Sequence, residues 1–133
     1  MSPKPVVRSE TALTNVVAVT AAVVEDPVFA GLEASLAEIR KMKGVLGYIM
    51  RGNTSAVLDL AERDKISQYA FLSNQLHESC LEIAKQLGVA EIESALVEGK
   101  TQKVLFMKIG ENKISVFMEK TANHSAVIKR VQI

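Results

Sequence analysis

The chain has 133 residues, of which 48% are hydrophobic and 5% aromatic, and its formal net charge at pH 7 is +1. A chain of this length and composition forms one globular domain with a sizeable core, which excludes a disordered protein. The balanced charge offers no basic surface for nucleic acid, and one cysteine excludes an internal disulfide. We therefore expect a cytoplasmic protein with no nucleic-acid partner, because free cysteine fits a reducing compartment.

Residues 1–25 are predicted to form an N-terminal extension, and residues 26–133 to form the domain. The run 16–24 is rich in valine and alanine and weakly resembles a secretory signal. Polar residues interrupt it, however, and no clear cleavage region follows. Its spacing fits a helix while its β-branched content favours a strand, and both alternatives stay open. No apolar run reaches the ~18–20 residues of a transmembrane helix, so no integral membrane segment is predicted.

The first helix of the domain is predicted to begin at Asp26 and Pro27. Aspartate is a good N-cap, and proline suits the first helical position, where its missing N–H costs nothing. Apolar residues at helical spacing form one stripe that should face the core. They are Phe29, Leu32, Leu36 and Ile39. Gly44 is the expected end of this helix.

A hairpin is predicted next, with strands over residues 45–50 and 55–60. The turn between them contains Gly52 and Asn53, which can adopt the positive φ that tight hairpins require. Gly47, within the first strand, should let another backbone or side chain approach closely.

The longest predicted helix runs from about Asp64 to Leu87 and ends at Gly88. Its apolar side chains cover an arc of about 180°, whereas about 100° is enough for a helix that lies on one sheet. This arc contains Ile66, Tyr69, Ala70, Leu72, Leu76, His77, Cys80, Leu81, Ile83, Ala84 and Leu87. The excess predicts a second partner. Phe71 lies on the polar side of the helix, where it either binds a partner or folds over a neighbouring loop.

Three strand-like runs follow, at residues 92–97, 103–109 and 113–118, before a short helix capped at Thr121 or Asn123. The middle run is apolar on both alternating faces, so both faces of its sheet must be covered. We predict an α/β fold, a three-layer α/β/α sandwich with a central five-stranded antiparallel sheet in the order α-β-β-α-β-β-β-α. The first and last helices should cover one face and the long helix the other.

No residue pattern indicates catalysis or metal binding. The sequence 99–101, Gly-Lys-Thr, resembles part of a phosphate-binding loop, but the earlier glycine is missing and a strand follows. His77 and Cys80 share a helical face, yet two ligands do not make a zinc site. Glu91 and Glu93 could act as an acid–base pair but suit a solvated strand edge better. We expect no enzyme, no metal and no cofactor.

This order of elements resembles the roadblock family of dynein-associated light chains and their bacterial and archaeal relatives. The resemblance covers about residues 27–131. It is carried by Gly44–Gly47, the Gly52 hairpin, Ala95–Gly99, the hairpin over 103–118, and Thr121–Asn123.

The resemblance implies a homodimer or heterodimer, in which the long helix packs on its copy and the sheets join at the third strand. This would account for the wide apolar arc. The positions it places at the dimer interface are Tyr69, Leu72, Leu76, Cys80, Ile83, Leu87, Ile92 and Ser94. It also implies a non-catalytic platform that binds or regulates small Ras-like GTPases, or scaffolds a larger complex.

The alternative is a small-molecule-sensing regulatory domain of related three-layer fold. In it, Gly47, Met50, Met107 and Met118 would line a pocket between sheet and helix, since methionine adapts to irregular ligands.

Overall fold

The computed structural model describes residues 27–131. In chain order the elements are α1 (Pro27–Ile39), β1 (Val45–Arg51), β2 (Ala56–Leu60), α2 (Ile66–Leu87), β3 (Ser94–Glu98), β4 (Gln102–Ile109), β5 (Asn112–Glu119) and α3 (His124–Val131). The predicted order is confirmed. The N-terminal extension, the Asp26 cap and the end of the chain lie outside the described residues, so the division at residue 26 stays a prediction.

The five strands form one antiparallel sheet in the order β2-β1-β5-β4-β3. One face packs on α1 and α3, and the other on α2. β4 contributes Leu105 and Met107 to the first layer and Val104 and Phe106 to the second. All four are buried, which explains why this strand is apolar on both faces. The predicted three-layer sandwich is confirmed.

α1 buries the predicted stripe of Phe29, Leu32, Leu36 and Ile39. α1 ends at Ile39. The prediction that it ends at Gly44 is therefore wrong. Gly44 instead lies in the turn before β1 with φ of +87°, and a Cβ there would be 2.8 Å from the Cβ of Ala122. Its missing side chain therefore makes room for the turn that leads into α3.

The ends of the other helices follow their sequence signals. α2 ends at Gly88, which is left-handed with φ of +73° and donates its N–H to the carbonyls of Ala84 and Lys85. α3 begins after Asn123, whose Oδ1 accepts a hydrogen bond from the N–H of Ala126 at 3.1 Å. Both caps satisfy backbone groups that have no partner within the helix.

β3 begins two residues later than predicted, at Ser94 instead of Ile92. The ladder with β4 opens where the N–H of Lys108 donates to the carbonyl of Glu93 at 2.9 Å. Ile92, just before it, is half-buried against the α2 layer, so its apolar character reflects packing under the helix. Gly47 behaves as predicted, since a Cβ there would lie 2.5 Å from the carbonyl oxygen of Asp59.

Candidate protein-interaction surface

One side of α2 is fixed on the sheet. Its buried residues are Ser73, Leu76, Cys80 and Ala84. The ring of Tyr69 packs on Phe117 with centroids 4.6 Å apart, and the hydroxyls of Ser73 and Ser115 share a buried hydrogen bond of 2.7 Å. These contacts determine which part of the apolar arc faces the chain's own core.

The rest of the arc is left in solvent. Leu72, Ile83 and Leu87 are 44%, 47% and 67% exposed. Leu72 and Ile83 differ by about 20° around the helix axis, so they form one stripe along α2. The other exposed residues of this stripe carry no charge and are Gln68, Gln75, Ser79 and Gln86. Charge-depleted stripes with alternating spacings of three and four residues are typical of helices that pack on another helix.

This stripe faces the β3 edge of the sheet. Arg51 of β1 donates a hydrogen bond to Oδ1 of Asn74, which places that side of α2 over β1. Leu72 and Ile83 lie roughly 160–180° around the helix from Asn74 and therefore face the opposite way. On β3, Ala95 packs in the α2 layer, and Val97 shares its face and is 50% exposed. We call Leu72, Ile83, Leu87 and Val97 together the α2–β3 face.

The outer edge of β3 adjoins this face. β3 pairs with β4 on one side, and no strand of the described chain pairs with its other side. Its central residues, Ala95, Leu96 and Val97, include none of the lysines or prolines that commonly protect a free edge. An unpaired edge beside exposed apolar side chains is suited to pairing with another chain.

The eight positions assigned by the family resemblance fall into three groups. Leu72, Ile83, Leu87 and Ser94 are exposed, while Tyr69 and Ile92 are half-buried. Leu76 and Cys80 are only 8% and 4% exposed and pack on the chain's own sheet. These two residues would support an interface from beneath and would not touch a partner. Burial raises the pKa of the Cys80 thiol, which disfavours the reactive thiolate.

Phe71 is 65% exposed, so it does not fold over a neighbouring loop of the described chain. It lies about 100° around α2 from Leu72, beyond the uncharged stripe. The sequence prediction missed Val97, although the alternation of Ala95 and Val97 along an edge strand carried the signal.

The residues proposed for a small-molecule pocket do not come together. Met50, Met107 and Met118 are buried in the α1–α3 layer, where they pack as core. Gly47 faces the other side of the sheet, beside Leu60. Because residues an odd number of positions apart along a strand face opposite sides of the sheet, Gly47 and Met50 cannot line one cavity between the sheet and a single helix.

The other residues considered for phosphate binding or acid–base chemistry have structural roles. Gly99 lies in a turn, where its N–H donates to the carbonyl of Gln102 at 2.8 Å, and a strand follows. Glu91 forms an ion pair of 2.7 Å with Lys108. Within residues 27–131, no three His, Cys, Asp or Glu side chains group as a metal site would require. No helix in this range is both long and apolar enough to span a bilayer.

The architecture matches several solved structures. MglB of Myxococcus xanthus superposes with a TM-score of 0.64 at 15% identity, over 83% of this chain and 86% of that one. The gliding protein MglB of Thermus thermophilus gives 0.63 at 15% identity, over 85% and 89%. A Roadblock/LC7 domain from Streptomyces avermitilis gives 0.59 at 11% identity, over 82% and 89%. No family model and no curated protein sequence matches the chain.

These superpositions span most of both chains, so they establish the overall fold. The chain has the fold of the Roadblock/LC7 domain, as the resemblance of its element order implied.

Proposed function

We propose that the chain is a non-catalytic, cytoplasmic, dimeric interaction module that binds or regulates a small Ras-like GTPase or scaffolds a larger complex. The observation that carries the proposal is the α2–β3 face, where exposed apolar side chains border an unpaired strand edge. The roadblock fold supports it, because the family resemblance implies this use of the same two elements. One MglB structure with this fold is described in a tetrameric arrangement, which supports assembly of such chains.

A two-fold dimer would cover the α2–β3 face. Across a two-fold axis, β3 would pair antiparallel with its copy and extend the sheet from one chain into the other. With Leu96 at the centre of the pairing, Ser94 would oppose Glu98 and Ala95 would oppose Val97. No like charges would then face each other within the strand, whereas such pairs are destabilising. The uncharged stripe of α2 would meet its copy beside this strand pair.

The free energy of dimerisation requires contacts from both α2 and β3. Burying the exposed part of Leu72, Ile83 and Leu87 would contribute about 1 kcal/mol for each side chain, or roughly 6 kcal/mol for two copies. Association costs about 4–15 kcal/mol in lost freedom of motion. Helix contacts alone therefore give at best a weak dimer, and the backbone hydrogen bonds between the β3 strands must contribute.

Phe71 is the proposed contact for the GTPase. Its distance around α2 from the uncharged stripe would leave it accessible in the dimer. Large exposed aromatic side chains are frequent anchors of protein interfaces. Its full burial by a partner would contribute on the order of 1.5–3 kcal/mol.

The test is affinity capture from an extract of the source cells with the tagged full chain, followed by reconstitution. We expect a small GTPase to be captured by the wild-type chain and lost with Phe71→Ser. Leu58→Ser is the matched control, because Leu58 is also an exposed apolar residue but lies on β2. The captured GTPase is then purified, and its affinity and nucleotide turnover are measured with and without the dimer.

Capture of no GTPase, or a purified GTPase that binds the Phe71→Ser and wild-type chains equally, would count against this assignment.

A further inference from the structure

Three cations lie side by side on the α2 side of the sheet. In the strand register, Arg51 of β1 is opposite Lys113 of β5, and Lys113 is opposite Lys108 of β4. Like charges directly across an antiparallel pair are destabilising. A row of three such residues therefore costs stability in the free chain, which is what a site prepared for an anion would show.

A cleft adjoins this row, and two of the three cations, Lys108 and Lys113, line it; Arg51 lies next to Lys113 but outside the lining. Its volume is about 240 Å³, and its lining includes His77 and Leu81 of α2 together with Lys108, Lys113 and Glu111. Its residues His77 and Leu81 lie on the Asn74 side of α2, away from the uncharged stripe. This side of the cleft would therefore stay open in the proposed dimer, whereas Ile92, a position that the resemblance places at the dimer interface, lines another side.

The three cations are unequally compensated. Lys108 is paired with Glu91 at 2.7 Å, while within residues 27–131 the side chain of Arg51 bonds only to the neutral amide of Asn74. The side chain of Lys113 makes no hydrogen bond or ion pair with the rest of the described chain. Among the described residues, the only acid other than Glu91 that lines the cleft is Glu111. Positive charge is thus concentrated on Arg51 and Lys113.

His77 completes the site. Nδ1 of its ring is buried and has no hydrogen-bond partner within residues 27–131. Burial lowers the pKa of His77, and the nearby charges of Lys113, Arg51 and Lys108 lower it further, while Glu78 acts in the opposite direction. The ring is therefore neutral near pH 7 and can both donate and accept a hydrogen bond.

We propose that this cleft binds a phosphate-type oxyanion, with Lys113 as the charged ligand that lines it, Arg51 as a second cation from the neighbouring strand β1, and His77 as a neutral hydrogen-bonding neighbour. Adjacent strands are about 4.8 Å apart, so the guanidinium and the ammonium can both reach one tetrahedral anion. Two unpaired cations match a dianion better than a single carboxylate, and the arginine fork suits phosphate oxygens. The cleft admits the phosphoryl group and a small part of a molecule that carries it.

The first test is an NMR titration of the ¹⁵N-labelled full chain with sodium phosphate, at ionic strength held constant with sodium chloride. We expect saturable shifts of the amides of His77, Lys108 and Lys113, with millimolar affinity. Lys113→Gln should weaken binding at least tenfold, while Lys120→Gln, an exposed lysine just after the far end of β5, should not change it. Shifts that do not saturate, or equal binding by the Lys113→Gln chain, would overturn the proposal.

Thermal unfolding gives an independent readout. Lys113→Gln should raise the melting temperature without phosphate, because it removes the repulsion across the strands. Phosphate at about 50 mM should raise the melting temperature of the wild-type and Lys120→Gln chains by about 5 °C more than that of Lys113→Gln. The comparison between variants is needed because phosphate also stabilises proteins by exclusion from their surface. An equal rise in all three chains would contradict a specific site.

Two further ligands test which class of anion the cleft binds. Methyl phosphate should bind within about threefold of inorganic phosphate if the site accepts a phosphoryl group on a larger molecule. Succinate should bind at least tenfold more weakly. Succinate binding as tight as that of phosphate would overturn the assignment to a phosphate-type anion.

Discussion

Two serine hydroxyls, from residues far apart in sequence, meet in the layer between α2 and the sheet. Ser115 is 1% exposed in the middle of β5, and its hydroxyl shares a hydrogen bond with that of Ser73. A buried hydroxyl without a partner costs about 1–3 kcal/mol, whereas removing both partners can be nearly neutral. The pair therefore ties α2 to the sheet in one register.

We expect Ser115→Ala to lower the free energy of unfolding by about 1–2 kcal/mol, because it leaves the Ser73 hydroxyl buried and unpaired. Ser73→Ala should have a similar effect, and the double variant should cost less than the sum of the two. Urea unfolding of the four chains completes a double-mutant cycle. Strict additivity would show that the hydroxyls are not coupled.

His77 should make stability depend on pH. Its pKa is lowered in the folded chain, chiefly by burial, so the unfolded chain binds the proton more readily. The stabilisation is fully present above the unfolded value of about 6.5 and is lost as the pH falls from there through the lower folded pKa. His77→Gln should flatten the decline in the free energy of unfolding between about pH 7 and pH 5. An unchanged profile in urea unfolding at several pH values would contradict this role.

At the scale of single elements, two glycines with open space around them separate backbone conformation from packing. Gly88 caps α2 with φ of +73°, whereas Gly31 lies within α1, and a Cβ at either would meet no atom within 4 Å. The effect of alanine at each position therefore reflects backbone preference alone.

Gly88→Ala should lower the free energy of unfolding by about 1 kcal/mol, because the left-handed conformation is unfavourable for alanine. Gly31→Ala should raise it by about 0.5–1 kcal/mol, because alanine is the better helix former. Chemical denaturation measures both changes. Similar signs for the two variants would mean that one of these backbone conformations is not the one described.

The elements were largely predictable because their signals are local. The apolar stripe of α1, the apolar residues on both faces of β4 and the glycine after α2 can each be recognised from a few consecutive residues. The start of β3 was misplaced because Ile92 is apolar for packing under α2, and sequence cannot distinguish that from pairing in a strand. The cation row was not predictable either, since Arg51 and Lys113 become neighbours only through the register of β1 with β5.

The candidate interaction surface was predictable only in outline. The width of the apolar arc indicated a second partner, but leucine looks the same whether it faces its own sheet or solvent. Sequence periodicity could not show that Leu76 is buried while Leu72 is exposed. The contacts of Ser73 and Tyr69 with β5 decide the orientation of α2, and they depend on tertiary packing.

At the scale of the whole molecule, we predict that the chain is half of an assembly. The outer edge of β3 is unpaired within the described chain, and the uncharged stripe of α2 lies on the same side. One charge on this stripe should prevent dimerisation, because in the dimer it would be buried without a partner.

The most direct measurement of this claim is sedimentation equilibrium of the full chain, in wild-type form and with Leu72→Glu. Leu58→Glu is the matched control, since Leu58 and Leu72 are 45% and 44% exposed but lie on different elements. We expect the wild-type and Leu58→Glu chains to have twice the mass of one chain at tens of micromolar, and Leu72→Glu to be a folded monomer. A wild-type monomer at that concentration, or a Leu72→Glu dimer as tight as the wild type, would contradict dimerisation through α2 and β3.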